Sequence, residues 1–137
     1  MRFNKLIPEL AVSDFDKSMD FYEKIIGFRI EYRRKKPRFA LLSLQGSQIM
    51  IEEVNKKWST GKLEYPFGRG INLQIEVKEV DSIFESLKKN NFPVMIKPQE
   101  NWYQKDNVLL GNREFLVKDP DGYLLRFAQC IGTKPAK

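Results

Sequence analysis

The chain contains no histidine and a single cysteine, Cys130, among its 137 residues. Without histidine there is no His-Asp triad, no HExxH helix and no His-ligated zinc. A lone cysteine makes no internal disulfide and no Cys cluster for a metal, which fits a reducing compartment. No apolar run approaches the roughly 18 residues that a membrane-spanning helix needs. The start, Met1-Arg2-Phe3-Asn4-Lys5-Leu6-Ile7-Pro8-Glu9, lacks the long apolar stretch and small-residue cleavage site of a secretory signal. The expectation is a soluble, cytoplasmic protein without a membrane partner.

What is present suits one folded domain of ordinary size. Hydrophobic residues make up 42% of the chain, which argues against disorder, and charged residues make up 31%. A chain of this length buries about two-thirds of its unfolded surface, so a core forms without staples. Lys and Arg number 24 against 18 Asp and Glu, for a net charge of +6.

The chain repeats itself once. Leu10-Ala11-Val12-Ser13-Asp14-Phe15-Asp16 and Ile75-Glu76-Val77-Lys78-Glu79-Val80-Asp81 both run from a strand into an amphipathic helix, 65 residues apart. In the first helix Phe15, Met19, Tyr22 and Ile26 share one face, Ser13 or Asp14 caps the start, and Gly27 supplies a left-handed stop. In the second, Val80, Phe84 and Leu87 share a face and Asn90-Asn91 closes it. Strands follow each helix: Arg29 to Tyr32, Arg38 to Leu44 and Gln48 to Val54, then Val94 to Lys97, Arg113 to Lys118 and Tyr123 to Gln129. Two stretches read as long loops, Asn55 to Gly70 and Pro98 to Asn112, each carrying a tryptophan and a tyrosine. Two strand-helix-three-strand (βαβββ) modules, at about 1–60 and 66–130 with a short C-terminal tail, imply a single α+β domain.

Phe21-Tyr22-Glu23-Lys24-Ile25-Ile26-Gly27-Phe28, Arg113-Glu114-Phe115 and Asp119-Pro120-Asp121-Gly122-Tyr123 occur in order along this doubled unit. Together they resemble the vicinal oxygen chelate superfamily, which includes glyoxalase I, extradiol dioxygenases, fosfomycin-resistance enzymes and bleomycin-resistance proteins. The resemblance implies a glyoxalase/bleomycin-resistance-like fold with a curved mixed sheet, paired in a homodimer. It also implies that metal-using members draw ligands from the positions of Ile7, Glu52, Asn72 and Arg126. Ile7 has no donor atom, and Arg126 puts a fixed positive charge where a cation would sit. The expectation is therefore no metal and no cofactor.

What remains is a likeness to the metal-free bleomycin-resistance branch, whose members bind an antibiotic unaltered. Ile7-Pro8-Glu9-Leu10 resembles that branch's N-terminal strand, which exchanges between subunits. Tyr32 and Phe39 match aromatic positions of its groove. The branch's tryptophan before the Arg-Glu-Phe sequence is replaced here by Leu110-Gly111-Asn112, and Trp102 is the candidate substitute. The expected binding set is Tyr32, Phe39, Glu52, Trp58, Trp102, Tyr103, Arg113 and Arg126, with no catalytic residue. The expected partner is a bleomycin-like antibiotic or another flat aromatic compound. The basic cluster of Arg29, Arg33, Arg34, Lys35, Lys36 and Arg38 reads as a solvated hairpin tip; facing the groove, it would favour an anionic or neutral ligand over a cation. Two other readings stand beside this one. A lyase or isomerase of the same superfamily, with unusual metal dependence, would use Glu52 as its base. A nucleic-acid-binding module would use the basic run, but the chain carries no known recognition motif.

Overall fold

A computed structural model describes residues 2–137. The chain divides into two units, the first holding residues up to Arg69 with Asp119–Tyr123, the second Gly70–Lys118 with Leu124–Lys137. Each unit carries one four-stranded mixed sheet and one helical segment.

In the first unit β1 (Glu9–Val12) leads into α1 (Phe15–Met19), which continues as a π-helical segment over Asp20–Ile26. Asp14, not Ser13, is the cap: its carboxylate accepts from the Lys17 amide at 3.1 Å. The π segment has a cause in the repeat. One more residue separates Val12 from Phe28 than separates Val77 from Phe92. The helix absorbs that residue by widening, and the Tyr22 carbonyl accepts from Gly27 five residues on. Gly27 then ends the helix at φ 106°. Phe15, Met19, Tyr22 and Ile26 are all buried.

β2 (Arg29–Lys35), β3 (Arg38–Leu44) and β4 (Ser47–Glu53) complete the sheet in the order β1-β4-β3-β2. β1 runs parallel to β4, pairing Ala11 with Glu52 within the same chain. Alternation sends Leu10, Val12, Ala40, Leu42, Ile49 and Ile51, all buried, to one face. The 54–71 stretch that follows stays irregular, as its composition predicts.

The second unit repeats the plan. β5 (Asn72–Glu76), α2 (Val80–Lys89), β6 (Ile96–Lys105), β7 (Val108–Lys118) and β8 (Leu124–Pro135) give the order β5-β8-β7-β6. Phe115 stacks on Phe127 at 5.4 Å and meets Phe84 of α2 edge-on at 5.9 Å. Asn91, at φ 56°, ends the helix.

One expectation is overturned here. Pro98 to Asn112 is not a loop but most of a hairpin, with β6 and β7 joined at Asp106-Asn107 and Lys105 paired with Val108. Its residues are too polar to announce a strand. Hydrogen bonding to β7 holds β6 extended at the sheet edge, where both faces tolerate polar side chains.

Among the described residues, no helix is long and apolar enough to cross a membrane.

Candidate functional site

The face of the first sheet turned away from its buried aliphatic side carries two rows across four strands. One row runs Ala11, Glu52, Phe39, Arg34; the next runs Glu9, Met50, Leu41, Tyr32. This register brings three of the expected residues together. Tyr32 lies on Phe39 with ring centroids 5.7 Å apart. The Arg34 guanidinium covers Phe39 at 4.3 Å and Tyr32 at 5.6 Å, a cation-π stack. Part of the basic cluster therefore sits on the aromatic wall. Two others of that cluster are tied elsewhere: Arg29 to Glu31, and Arg38 to Asp16 at 2.5 Å.

Glu52 is only 7% exposed and accepts from Asn55 Nδ2 at 2.5 Å. It shares a cavity of about 20 Å³ with Glu9, Ala11, Asn55, Trp58 and Ser59, room for one water and no more. Burial pushes the Glu9 carboxyl above its usual range, the Glu52 charge adds to the rise, and Arg34 opposes it. Trp58, 69% exposed, stands at this cavity in the irregular stretch.

The second unit divides its four expected residues between two faces. Glu114, Leu116, Arg126 and Ala128 share the face away from α2. Tyr103 joins them, its hydroxyl donating a very short hydrogen bond to Glu114 Oε1, where Asn101 Nδ2 also donates at 2.9 Å. The Glu114 carboxylate raises the Tyr103 pKa, burial adds to the rise, and the Arg126 guanidinium opposes it. Arg113 is on the other face. It forks onto Asp81 of α2 at 2.9 to 3.2 Å, so it is an anchor for the helix rather than for anything bound beside Arg126. Adjacent strand residues point oppositely, so Trp102 and Tyr103 cannot line one wall either. Trp102 instead lies over Gly111 and takes Lys134 Nζ at 4.0 Å from its ring.

Sequence reading missed Glu114. A period of two from buried Phe115 puts it on the opposite face. The motif Asp119-Pro120-Asp121-Gly122-Tyr123 also has a structural role that the resemblance alone does not give. Within the first unit Asp119 accepts from the Tyr22 hydroxyl at 2.6 Å and from the Asp121 and Tyr123 amides at 2.9 Å. Asp121 takes the Ser13 amide and hydroxyl at 3.0 and 2.5 Å, and Tyr123 donates to the Ala11 carbonyl at 2.9 Å. These carboxylates hold structure.

The four positions to which the resemblance assigns metal ligands, Ile7, Glu52, Asn72 and Arg126, carry an alkyl group, a carboxylate, a carboxamide and a guanidinium. One anion, one neutral oxygen and one fixed cation do not suit a divalent ion. Among the described residues no three His, Cys, Asp or Glu side chains cluster to hold one.

Comparison with known proteins adds the family context. A family model described as Glyoxalase/Bleomycin resistance protein/Dioxygenase superfamily matches residues 3–127. The lactoylglutathione lyase of Haemophilus influenzae is 24% identical over 132 residues, covering 91% of this chain and 91% of its own length. The bleomycin resistance protein of Geobacillus stearothermophilus is 26% identical over 138 residues, covering 91% of this chain and 96% of its own. Among solved structures, TioX from Micromonospora sp. ML1 shares 22% identity at a TM-score of 0.64, covering 93% of this chain and 98% of that one. At that identity the likeness speaks for the fold alone.

Proposed function

The chain belongs to the Glyoxalase/Bleomycin resistance protein/Dioxygenase superfamily, and on that premise we propose that it is a metal-free binding protein that sequesters a flat, partly aromatic small molecule, an antibiotic among the candidates. The observation that carries this reading is the donor set: an isoleucine and an arginine stand at two of the four positions where chelation would need donors. Capture then rests on ring stacking. Aromatic pairs contribute about 0.5–1.5 kcal/mol each beyond the area they bury, and Tyr32 with Phe39 supplies one such wall, capped by Arg34. Trp58 and Glu52 are the further contacts we assign to a ligand in the first unit, and Tyr103 and Arg126 those on the second unit's own face. The ligand groove belongs to a homodimer in this reading.

The net charge of +6 and the stacked Arg34 favour a neutral or anionic ring system over a cationic drug. Tryptophan fluorescence tests the reading. Neutral and anionic polycyclic aromatics are expected to quench emission saturably, and bleomycin to quench weakly; no response to any of them overturns capture. Sedimentation is expected to give a dimer of the 16.2 kDa chain.

A catalytic reading has one observation in its favour, the buried Glu52 beside Glu9, whose protonation is favoured by burial. As a lyase the chain would use Glu52 as its base. Metal analysis of the purified protein, with an assay for lactoylglutathione formation, separates the two. A stoichiometric divalent ion together with turnover overturns the binding reading.

A further inference from the structure

Two buried polar atoms on one face of the second unit have no partner: Glu114 Oε2 and Arg126 Nε. Glu114 is 4% exposed, and both of its donors, Tyr103 and Asn101, go to Oε1 alone. A buried carboxylate oxygen without a donor is costly, and such atoms are few in a folded protein. Glu114 pairs with Ala128 and Leu116 with Arg126, so the two charged residues are diagonal neighbours on adjacent strands, within reach of one bound group. Glu114 supplies only acceptors and Arg126 only donors.

From this juxtaposition we propose that the β7–β8 face takes a neutral planar group with an N–H donor and a carbonyl acceptor side by side, a carboxamide or lactam on an aromatic ring. Its N–H meets Glu114 Oε2 and its carbonyl meets Arg126 Nε. Charge decides the class. A carboxylate would satisfy Arg126 but confront Glu114, and an amidinium would do the reverse; only a neutral amide serves both. Tyr103 fixes the arrangement by holding Glu114 Oε1 and turning Oε2 away. The assignment rests on the small-molecule reading and names the chemical group that this face of the second unit takes.

Three probes with one ring test it: naphthalene-2-carboxamide, 2-naphthoate and naphthalene-2-carboximidamide, titrated calorimetrically into the intact protein. The carboxamide is expected to bind at least tenfold more tightly than either charged analogue. The same titration is expected to move the Glu114 side-chain carboxyl ¹³C resonance. Glu114→Gln, which puts an amide nitrogen on one side of the fork, is expected to erase the preference while leaving ring binding. Arg126→Met supplies the same test should the first variant fold poorly. Equal affinity for all three probes, or a charged one preferred, overturns the head-group assignment and leaves aromatic capture standing. Silence from every probe, with polycyclic aromatics still quenching tryptophan, also overturns it; silence in both assays removes the underlying reading as well.

Discussion

The two units share a topology and differ in the face that the topology leaves free. In each, a parallel strand pair flanks a meander and a helix follows the first strand. The first unit's free face is aromatic, with Phe39, Tyr32 and Arg34 beside the Glu9-Glu52 pair. The second unit's is a polar network of Glu114, Tyr103, Asn101 and Arg126. The difference teaches which constraint acts where. Strand positions that face the helix must be apolar to build a core, and outside the edge strand β6 both units spell that pattern. The alternate positions are released from it and diverge.

Glycines break this comparison most sharply. Gly122 in the first unit sits at φ 91°, and a Cβ there would come within 2.6 Å of Pro66 Cα, which is backbone. Gly111 in the second unit has no such φ, and its Cβ would meet the Trp102 ring at 2.5 Å, a side chain that can swing. Gly122→Ala is therefore expected to cost about 3 kcal/mol or more, from overpacking plus left-handed strain. Gly111→Ala is expected to cost about 1–2 kcal/mol while shifting tryptophan emission. Urea unfolding followed by circular dichroism checks both. Equal losses would mean that Trp102 is locked as firmly as the chain itself.

Acid titration separates the units next. Asp119 of the first unit is pushed up to about 6, because burial outweighs the three hydrogen bonds that favour its charge. The native state therefore keeps this proton between about pH 4 and 6, while the unfolded chain, near 3.8, has lost it. The stabilising contribution is full below the unfolded value and disappears as pH rises through 6, a change of about 3 kcal/mol by linkage. Asp119→Asn is expected to flatten that part of the stability-pH curve. An unchanged slope in the variant would assign the titration to another group.

How much of this was legible in the residues follows the same division. The helix faces, the Gly27 and Asn91 stops and the β2–β4 meander were readable, because alternation and helical spacing record burial directly. The β6 strand was not. Its Gln99, Glu100, Asn101 and Gln104 carry no apolar alternation, and its pairing is specified by β7 rather than by its own side chains. The candidate site was read less well than the frame. Tyr32, Phe39 and Glu52 fall together on one face, whereas Arg113 and Trp102 fall opposite Arg126 and Tyr103. That split needs a register, and the register was hidden by taking Pro98 to Asn112 as a loop. Glu114 went unnoticed because a charged residue beside another charged residue looks like surface.

The polar network of the second unit gives a smaller effect than Gly122→Ala or the Asp119 titration. Tyr103→Phe removes one of two donors to a carboxylate that is buried, though Tyr103 itself is 40% exposed. A loss of about 1–2 kcal/mol is expected, below that of a fully enclosed charged bond because water reaches the ring. Tyr103→Phe leaves Asn101 as the one donor holding Oε1 and is expected to weaken the carboxamide preference without abolishing it.

Arg113 should matter least, and that is the sharpest check on the face assignment. Its fork onto Asp81 joins two partly exposed side chains, 35% and 50% accessible, so solvent and salt screen the pair. Arg113→Met keeps the aliphatic stem over α2 and removes only the charge. Stability should shift no more than for an ordinary surface substitution, and the affinity of naphthalene-2-carboxamide should not move at all. Arg126→Met, on the opposite face, should lose the carboxamide preference. Were Arg113→Met to weaken ligand binding as much as Arg126→Met, both arginines would have to reach one ligand, and the alternation of β7 on which the site is built would be wrong.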